Sequence, residues 1–401
     1  MAGNLKVGLE IHGNLLTKEK LFCRCKAERH AGKKGIEPNT LICPICTGQP
    51  GNKPMPPNSE AIKKSIQIAL MLNCKINEYN NKNKKGFLVW QRKHYDWPDL
   101  PKGYQLTISG PYSTEVGVDG NFEGIRIKEV HLEEDPASWN PETGVIDYNR
   151  SGLPLVEIVT QPDFKSVEEV GIWLKNLLLT LSYTKSIDKN AGIKADVNIS
   201  TGRERVEIKN LNSIENIKKV IEYEAERQIK EKAQRETRRF DEKTGKTIIM
   251  RGKELAEDYR FIPDPDLPVL KIKKEEVEKI KYQLPETPAE KLNKLIRKYK
   301  IDKKNAEILY KNLDVVEFFE TVSEKIEARF ALPWITTELL RVLNYNQKTL
   351  DEVEISPQHF IQILELVKSK KITELKAKQI LNDFIPKSFS PKEKLKEFEK
   401  I

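Results

Sequence analysis

The sequence lacks any apolar run near the roughly 20 residues that a membrane-spanning helix requires. Residues 1–6 also contain no apolar stretch typical of a signal peptide. Apolar residues make up 38% of the 401 residues and charged residues 32%, a composition that predicts two or three folded domains with strongly hydrated surfaces. We therefore expect a cytoplasmic protein, and we exclude a membrane as its partner.

Cysteine is scarce as well, with five residues in the whole chain. Four of them form two close pairs, Cys23 with Cys25, and Cys43 with Cys46 in the sequence Cys-Pro-Ile-Cys. In a cytoplasmic protein such pairs are more typical of a metal site than of disulfides. Four thiolates suit a closed tetrahedral zinc site, so segment 23–46 predicts structural zinc, and four free cysteines are the alternative.

Three common catalytic motifs are missing: the Gly-x-x-x-x-Gly-Lys-Ser/Thr phosphate loop, the Gly-x-Gly-x-x-Gly dinucleotide turn and the Gly-x-Ser-x-Gly elbow. Their absence excludes the standard P-loop, Rossmann and α/β-hydrolase interpretations. The net charge of +9 favours a polyanionic partner such as a nucleic acid, although lysine-rich proteins also carry such a charge without one.

Two regions of the chain differ in their periodicity. Up to about residue 270, short alternating strand patterns mix with Gly and Pro turns and a few helices. From residue 271 the pattern is almost purely helical. We therefore predict an α+β domain over residues 1–270 and an all-helical domain over residues 271–401, with Ser166 and Ser213 starting helices in the first domain.

The clearest local pattern is a predicted β-hairpin. Residues 194–200 and 205–209 alternate polar and apolar side chains on either side of a turn. This arrangement would pair Asn198 with Glu207 and Asp196 with Lys209. One face of the hairpin would then be entirely polar and line a cleft, and an ordinary solvated sheet face is the alternative.

A second pattern combines carboxylates with histidine. Alternation places Glu10 and His12 on one face of a strand, and it groups Glu133 with His131 in the segment His-Leu-Glu-Glu-Asp. Carboxylate oxygens with an occasional imidazole suit magnesium, which bridges nucleotide phosphates in phosphoryl-transfer enzymes. For any one of these residues a surface carboxylate or a core histidine is the simpler interpretation, so the hypothesis depends on the group.

Several longer motifs resemble the GatB family, the B subunits of aspartyl/glutamyl-tRNA(Asn/Gln) amidotransferases. Besides the cysteine pairs, the motifs that carry the resemblance are residues 7–12 (Val-Gly-Leu-Glu-Ile-His), 98–105 (Pro-Asp-Leu-Pro-Lys-Gly-Tyr-Gln), 131–135, 147–152 (Asp-Tyr-Asn-Arg-Ser-Gly), 154–158, 207–213, 236–239 and 258–267. They occur in the family's order and span most of the chain.

The resemblance implies a cradle-shaped, mixed-sheet kinase domain followed by a helical domain. It implies a ligase that phosphorylates the side-chain carboxylate of misacylated Glu-tRNA(Gln) or Asp-tRNA(Asn) with ATP and amidates it with ammonia. A separate glutamine amidase subunit and a small bridging subunit are the expected protein partners, and tRNA, not DNA, is the expected nucleic acid. Because the sequence ends soon after a predicted helix at 372–384, we expect the family's tail domain to be truncated.

The resemblance also implies site residues and the cofactors ATP, Mg²⁺ and structural Zn²⁺. The expected magnesium ligands are Glu10, His12, Glu133, Glu134, Asp196 and Glu207. The expected ATP-binding residues are Asn198, Ser200 and Lys209, and the catalytic candidates that would contact phosphate or carboxylate are Arg150 and Lys209. An acyl phosphate requires metal-bound ATP and a cationic clamp but no protein nucleophile.

Two other functions fit parts of the sequence. A non-catalytic, zinc-containing tRNA-binding scaffold subunit would explain the basic charge, and it predicts that Glu10, His12 and Glu133 can be replaced without loss of function. An unrelated metal-dependent phosphotransferase acting on a small molecule would explain the acidic residues but not the basic charge. ATP hydrolysis that requires charged tRNA would separate both from the amidotransferase interpretation.

Overall fold

A computed structural model of the protein describes residues 5–28, 36–80, 86–95, 97–187, 192–202, 204–231, 234–251 and 259–398. The chain divides into two compact units, Met1–Pro285 and Glu286–Ile401. The first unit combines helices and strands, and the described part of the second is helical, so the predicted α+β class is confirmed. The strand Leu270–Lys271 and the helix Lys274–Tyr282 belong to the first unit.

The first unit contains most of the regular structure. Its described strands are β1 (Lys6–Asn14), β2 (Lys75–Ile76), β3 (Phe87–Leu88), β4 (Gln91–His94), β5 (Gln105–Thr107), β6 (Gly117–Phe122), β7 (Ile125–Glu134), β8 (Ser138–Trp139), β9 (Ile146–Asp147), β10 (Pro154–Thr160), β11 (Ile193–Ser200), β12 (Val206–Leu211), β13 (Glu236–Asp241), β14 (Lys246–Arg251), β15 (Arg260–Pro263) and β16 (Leu270–Lys271). Its described helices are α1 (Ser59–Met71), α2 (Val167–Tyr183), α3 (Ile214–Lys230) and α4 (Lys274–Tyr282).

One large sheet organises this unit. Within the described residues, twelve strands form it, and its main path runs β14-β13-β12-β11-β1-β10-β7-β5-β4-β15. Strand β6 pairs with β7 beside this path, and β2 pairs with β6. The sheet is mixed, because β12 and β13 pair in parallel whereas β1 pairs antiparallel with both β10 and β11. The path places β1 beside strands that follow it by more than 140 residues, so residues remote in sequence meet on the central strands.

Alternation gives the central strands one apolar and one polar face. Val7, Leu9 and Ile11 of β1 are at most 1% exposed, as are Val197 of β11 and Ile208 of β12. Helix α3 contacts β11 and also packs against α2, so helices cover this apolar face. The opposite face therefore carries the polar side chains, as the sequence pattern predicts.

Side-chain caps start the two long helices of the first unit. The Ser166 hydroxyl accepts a hydrogen bond from the backbone N–H of Glu169 at 3.1 Å, and Ser213 accepts one from Asn216 at 3.1 Å. These bonds satisfy N–H groups that have no partner within the first turn of a helix. Both predicted helix starts are confirmed.

The predicted hairpin forms, with one change in register. Asn198 pairs with Glu207, but the ladder shifts between Ala195 and Val197, and Leu211 comes to lie opposite Ala195. The extra residue is Asn210, whose backbone has a φ of 62°. This bulge interrupts the predicted pairing of Asp196 with Lys209.

The second unit is described as a series of helices. They are α5 (Pro288–Arg297), α6 (Lys303–Leu309), α7 (Leu313–Ser323), α8 (Ala328–Pro333), a π-helical segment (Trp334–Leu339), α9 (Leu340–Tyr345), a 3₁₀ turn (Leu350–Glu352), α10 (Pro357–Lys368), α11 (Glu374–Asn382) and α12 (Pro391–Phe398). Phe319, Phe360 and Phe384 are completely buried in their common core. No helix in the described ranges combines the length and apolar character needed to cross a membrane.

Candidate active site and cysteine cluster

The polar face of the central strands gathers acidic side chains from three strands. In the sheet register, Glu10 of β1 lies opposite Asp196 of β11, and His12 lies opposite Glu157 of β10. The next strand continues the row, because Glu157 pairs in register with His131 of β7. Alternation on antiparallel strands therefore places these side chains on the same face.

Two overlapping groups in this region have spacings suited to a metal ion. Ligand atoms of Glu10, His12 and Glu157 all lie within 4.8 Å of one another, and so do those of Glu10, Asp196 and Glu207. The His12 Nε2 atom lies 3.6 Å from Glu10 Oε1 and 3.9 Å from Glu157 Oε2. We name these five residues the carboxylate cluster; their hard oxygen donors with one imidazole fit magnesium.

Lys209 is the cation held within this cluster. Its Nζ atom donates hydrogen bonds to Asp196 Oδ2 at 3.0 Å and to Glu207 Oε1 at 3.1 Å. The backbone N–H of Asn210, in the bulge, donates to the other Asp196 oxygen at 2.8 Å. Thr237 of β13 donates to Glu207 Oε2 at 3.1 Å, so both carboxylates are oriented by neighbouring strands.

The pKa values divide the cluster into two kinds of carboxyl group. Burial raises the pKa of Glu10, and it raises that of Glu157 further because the charges of Glu10 and Glu133 add to it. Burial also acts on Asp196, but Lys209, His12 and the hydrogen bond from Asn210 N together outweigh it and hold the pKa of Asp196 below its usual range. Glu10 and Glu157 thus favour a proton or a cation at this place, and Asp196 is already balanced.

Two further residues extend the site at β7 and β4. Glu133 is 3% exposed, and its Oε2 atom has no hydrogen-bond partner among the described residues. Lys93 of β4 lies with its Nζ atom 4.7 Å from the centre of the Tyr259 ring. Burial opposes the charge of Lys93, but the neighbouring acidic groups, Glu133 and Glu157 first among them, together outweigh that effect and raise the pKa of Lys93.

Sequence reasoning missed Glu157 and Lys93. Glu157 is a single acidic residue in the otherwise apolar strand Pro154–Thr160, which is the signal that could have identified it. Lys93 lies in a short strand of polar residues, and no feature of that segment alone distinguishes Lys93 from a solvated lysine.

Several predicted site residues lie apart from the carboxylate cluster. Glu134 follows Glu133 and points to the other face, where its carboxylate pairs with Lys102 and accepts a hydrogen bond from Leu106 N at 2.9 Å. The Ser200 hydroxyl donates to Gly202 O at 3.0 Å, near the end of β11. The structure therefore does not bring Glu134 or Ser200 to the proposed magnesium ligands.

The two remaining candidates differ in their surroundings. Asn198 lies on the polar face, and its buried Oδ1 atom has no partner among the described residues. Arg150 instead contacts residues that lie a short distance before it in the sequence. Its Nε atom donates a hydrogen bond to Pro136 O at 2.8 Å and lies 3.5 Å from Asp135 Oδ1. Its Nη2 atom donates a hydrogen bond to Ala137 O. These contacts fix the guanidinium group, and its catalytic role stays a prediction.

The four predicted cysteines come together in the first unit. All four sulfur atoms, of Cys23, Cys25, Cys43 and Cys46, lie within 4.8 Å of one another. The backbone N–H of Cys43 donates to Cys46 Sγ at 3.2 Å. A hydrogen bond from the Cys23 thiol, together with the charge of Lys20, lowers the pKa of Cys46. Four thiolates at this spacing fit a tetrahedral zinc site.

Known protein families match both units. Residues 5–278, which include the large sheet, match the family model described as the GatB/GatE catalytic domain. Residues 317–399 match the model described as the GatB domain. Together with the carboxylate cluster, these matches define a protein of the GatB/GatE catalytic class.

Curated archaeal relatives narrow this class. Proteins named as the B subunit of aspartyl/glutamyl-tRNA(Asn/Gln) amidotransferase are 42% identical in Methanopyrus kandleri, over 98% of this chain and 84% of the relative, and 44% identical in Methanocaldococcus jannaschii, over 95% and 82%. The protein of that name from Methanothermobacter thermautotrophicus is 42% identical, over 97% and 84%. The chain belongs to this family of amidotransferase B subunits, as its sequence motifs indicate.

Proposed function

We propose that this chain activates the side-chain carboxylate of Glu on tRNA(Gln), of Asp on tRNA(Asn), or of both. A carboxylate oxygen attacks the γ-phosphorus of ATP, ADP leaves, and an acyl phosphate forms. Ammonia then attacks the acyl carbon, inorganic phosphate leaves and takes up the proton that the nitrogen gives up, and the amide remains. The observation that carries the proposal is the gathering of four carboxylates and His12 beside Lys209 on one sheet face.

The carboxylate cluster would hold Mg²⁺ through Glu10, His12 and Glu157 and through Asp196 and Glu207. Bound Mg²⁺ would contact phosphate oxygens and offset the negative charge on the transferred group. The raised pKa values of Glu10 and Glu157 support this assignment, because a cation there relieves the repulsion between buried carboxylates. The unpartnered Oε2 atom of Glu133 offers a further oxygen beside the group.

Lysine side chains would orient the anionic reactants. Lys209 is held in position by two carboxylates, so its remaining N–H group can contact a phosphate or the substrate carboxylate without a large loss of side-chain entropy. Lys93 provides a second positive charge near Glu133 and Glu157. Asn198 Oδ1 would accept a hydrogen bond from the nucleotide. Such fixed charges act where negative charge develops during phosphoryl transfer.

Burial of part of the site suits the proposed intermediate. Glu133 and Glu157 are 3% and 6% exposed, whereas the side chains of Glu10 and Glu207 are 28% and 20% exposed, so one end of the site is shielded from water and the other is open. An acyl phosphate is hydrolysed by water, and a site with low solvent access protects it until ammonia arrives.

The proposed complex has further components. The cysteine cluster would bind zinc in a structural role, because four thiolates leave no open coordination position for substrate. A glutamine amidase subunit would supply ammonia, a small bridging subunit would join the two, and the sheet-containing unit would act as the cradle-shaped kinase domain. The names of the relatives support a multi-subunit enzyme that acts on tRNA.

The decisive experiment is reconstitution with the amidase and small subunits of the same organism. Glu10→Gln keeps the size of the side chain and removes its charge. We expect ATP-dependent amidation of Glu-tRNA(Gln) or Asp-tRNA(Asn) to fall on the order of 30- to 1000-fold, with a raised magnesium requirement. Binding of tRNA should change little, because contacts to the phosphate backbone depend on other basic residues.

Glu142→Gln is the matched control, because Glu142 is exposed and lies in the loop between β8 and β9. This variant should amidate at the parental rate. Equal amidation rates and equal magnesium dependence in Glu10→Gln and the parent protein would contradict the proposal. That result would favour the non-catalytic tRNA-binding scaffold.

A further inference from the structure

Lys20 is a buried lysine in direct contact with the cysteine cluster. The residue is 1% exposed, and its Nζ atom donates to Cys46 Sγ at 3.6 Å and to the Tyr148 carbonyl oxygen at 3.2 Å. No carboxylate in the described ranges forms an ion pair with Lys20. Because an ammonium group buried without a counter-charge is strongly unfavourable, the Cys46 sulfur that it contacts is the group at hand that can carry the counter-charge.

The charge of a zinc–thiolate site supplies the matching counter-ion. Zn²⁺ with four thiolates has a formal charge of −2, and such a group is itself unfavourable in a buried place. One ammonium group in contact with a ligand sulfur halves that charge. Lys20 and the cluster therefore compensate each other, and neither would be well accommodated alone.

The second contact of Lys20 leads to the segment that carries Arg150. The carbonyl of Tyr148 accepts the Lys20 hydrogen bond. The residues that follow Tyr148 form hydrogen bonds with residues 21–46, which we call the cysteine segment. The Ser151 hydroxyl donates to Cys46 O at 2.7 Å, and Leu21 N donates to Gly152 O at 2.8 Å. We name residues 147–152 the Arg150 loop.

Further bonds join the same two segments. Leu41 N donates to Asn149 Oδ1 at 2.8 Å, and the Asn149 side-chain amide donates to Glu37 O at 2.9 Å. The Arg150 loop is thus held on one side by the cysteine segment, and its guanidinium group is held on the other side by Pro136 O and Ala137 O. Lys20 connects the loop to a sulfur atom directly.

We propose that Lys20 is a positioning residue that balances the charge of the zinc–thiolate cluster and ties that cluster to the Arg150 loop. The inference rests on the zinc site proposed above. Its consequence is that zinc affinity and the order of the Arg150 loop depend on one buried ammonium group. Neighbours that orient or stabilise metal ligands in this way typically change metal affinity about 10- to 100-fold when they are replaced.

The test compares lysine variants in the full-length protein. Lys20→Met keeps the apolar stem and removes the charge, Lys20→Arg keeps a cation, and Lys26→Met is the control because the Lys26 side chain is 72% exposed on the same segment. Zinc affinity is measured by competition with a chromophoric chelator. Order of the Arg150 loop is measured by amide hydrogen exchange over residues 147–152.

Lys20→Met should bind zinc about 10- to 100-fold more weakly than the parent protein and should exchange the amides of 147–152 faster. Lys20→Arg should recover most of the affinity, and Lys26→Met should match the parent. If Lys20→Met does not fold, Lys20→Gln replaces it, since that side chain keeps a hydrogen-bond donor without the charge.

Parental zinc affinity together with parental exchange in the uncharged variant would overturn the inference. A parent protein that binds no zinc would overturn the zinc site and the charge-balancing role with it. The exchange measurement needs no zinc, so it decides the positioning of the loop independently. Amidation by the Glu10→Gln variant is a separate measurement, and its result does not affect either outcome.

Discussion

Two buried charged groups in the first unit differ in how their charges are balanced. One is the carboxylate cluster. The other, which we name the arginine network, consists of Glu224, Arg227, Glu236 and Arg238. In the network, Arg227 NH2 lies 2.9 Å from Glu224 and 2.7 Å from Glu236, and Arg238 lies 3.3 Å from Glu224 and 3.1 Å from Glu236. Two cations thus meet two anions, and Arg227 also lies 3.3 Å from Glu231, whose side chain is 65% exposed.

The carboxylate cluster has no such balance. Its four carboxylates are accompanied by Lys209 and His12, and the pKa values of Glu10 and Glu157 are raised by burial. A network that closes its own ion pairs stabilises the fold, whereas an excess of buried negative charge is tolerated where a ligand completes the site. The comparison contrasts balanced with unbalanced charge within one unit, and the following predictions test whether the first serves the fold and the second the proposed function.

The largest effect on stability should come from Arg238→Met. This change leaves Glu224, which is completely buried, without one of its two arginines. Breaking a buried ion pair on one side typically costs about 3–5 kcal/mol in the free energy of unfolding. Denaturant unfolding measures the loss, with Arg239→Met as the control because Arg239 is exposed on the same strand. If Arg238→Met lowers the free energy of unfolding no more than Arg239→Met does, the arginine network does not stabilise the fold.

Asp196→Asn should affect activity, whereas Arg238→Met affects stability. The amide keeps the shape of the side chain but loses the charge that holds Lys209 and that would contact the metal. We expect the activation free energy of amidation to rise by about 2–4 kcal/mol, so that the rate falls on the order of 30- to 1000-fold. Ammonia release by the partner amidase should remain measurable. Parental amidation by this variant would indicate that the polar face is only a solvated sheet surface.

Glu157→Gln should alter the pH dependence of stability. Because the pKa of Glu157 is raised in the folded protein from its ordinary value of 4.5, the folded state binds more protons than the unfolded state above that pH. In magnesium-free buffer the free energy of unfolding should therefore fall as the pH rises through 4.5 and beyond. The glutamine variant should show a smaller decrease, because Glu10 still contributes to it but residue 157 does not, and it should be more stable near neutral pH. Parallel pH profiles of the two proteins would show that Glu157 carries no such penalty.

The smallest effect is expected for a surface pair, Lys230 with Glu226. Their Nζ and Oε2 atoms are 3.6 Å apart, and both side chains are more than 70% exposed. Lys230→Met should change the free energy of unfolding by less than about 0.5 kcal/mol, because water and salt screen the pair. A large change, measured by thermal unfolding at two salt concentrations, would show that exposure does not separate the weak pairs from the strong ones.

Local pattern was sufficient for much of the fold and for part of the site. Period-two alternation identified the polar faces of β1 and of the β11–β12 hairpin, because the order of polar and apolar side chains within one strand shows which of its faces is buried. The spacing of the cysteines identified the four sulfur atoms that come together. Both signals are contained in short segments, so they required no knowledge of which strands are neighbours.

Other features depend on the order of strands in the sheet. Lys93 and Glu157 approach each other because β4, β5, β7 and β10 are adjacent, and no short segment reveals that order. The arginine network joins α3 to β13 and β14 through Arg238 and Thr247, whose side chains resemble ordinary surface residues in the sequence alone. Arg150 was selected from its motif, but the motif did not indicate that backbone carbonyls hold its guanidinium group.

The bulge at Asn210 constrains how this strand can change in length. The extra residue lies between Lys209 on the polar face and Leu211, which is 2% exposed in the core. A chain that lacks Asn210 would return to regular alternation, with the lysine still on the polar face and the leucine still in the core, but it would lose the backbone N–H that donates to Asp196 Oδ1 at 2.8 Å. Substitution is constrained as well, because asparagine and glycine adopt a φ of 62° readily whereas β-branched residues do not. The spacing between Glu207 and Ser213 is therefore as much a part of the site as the residues themselves.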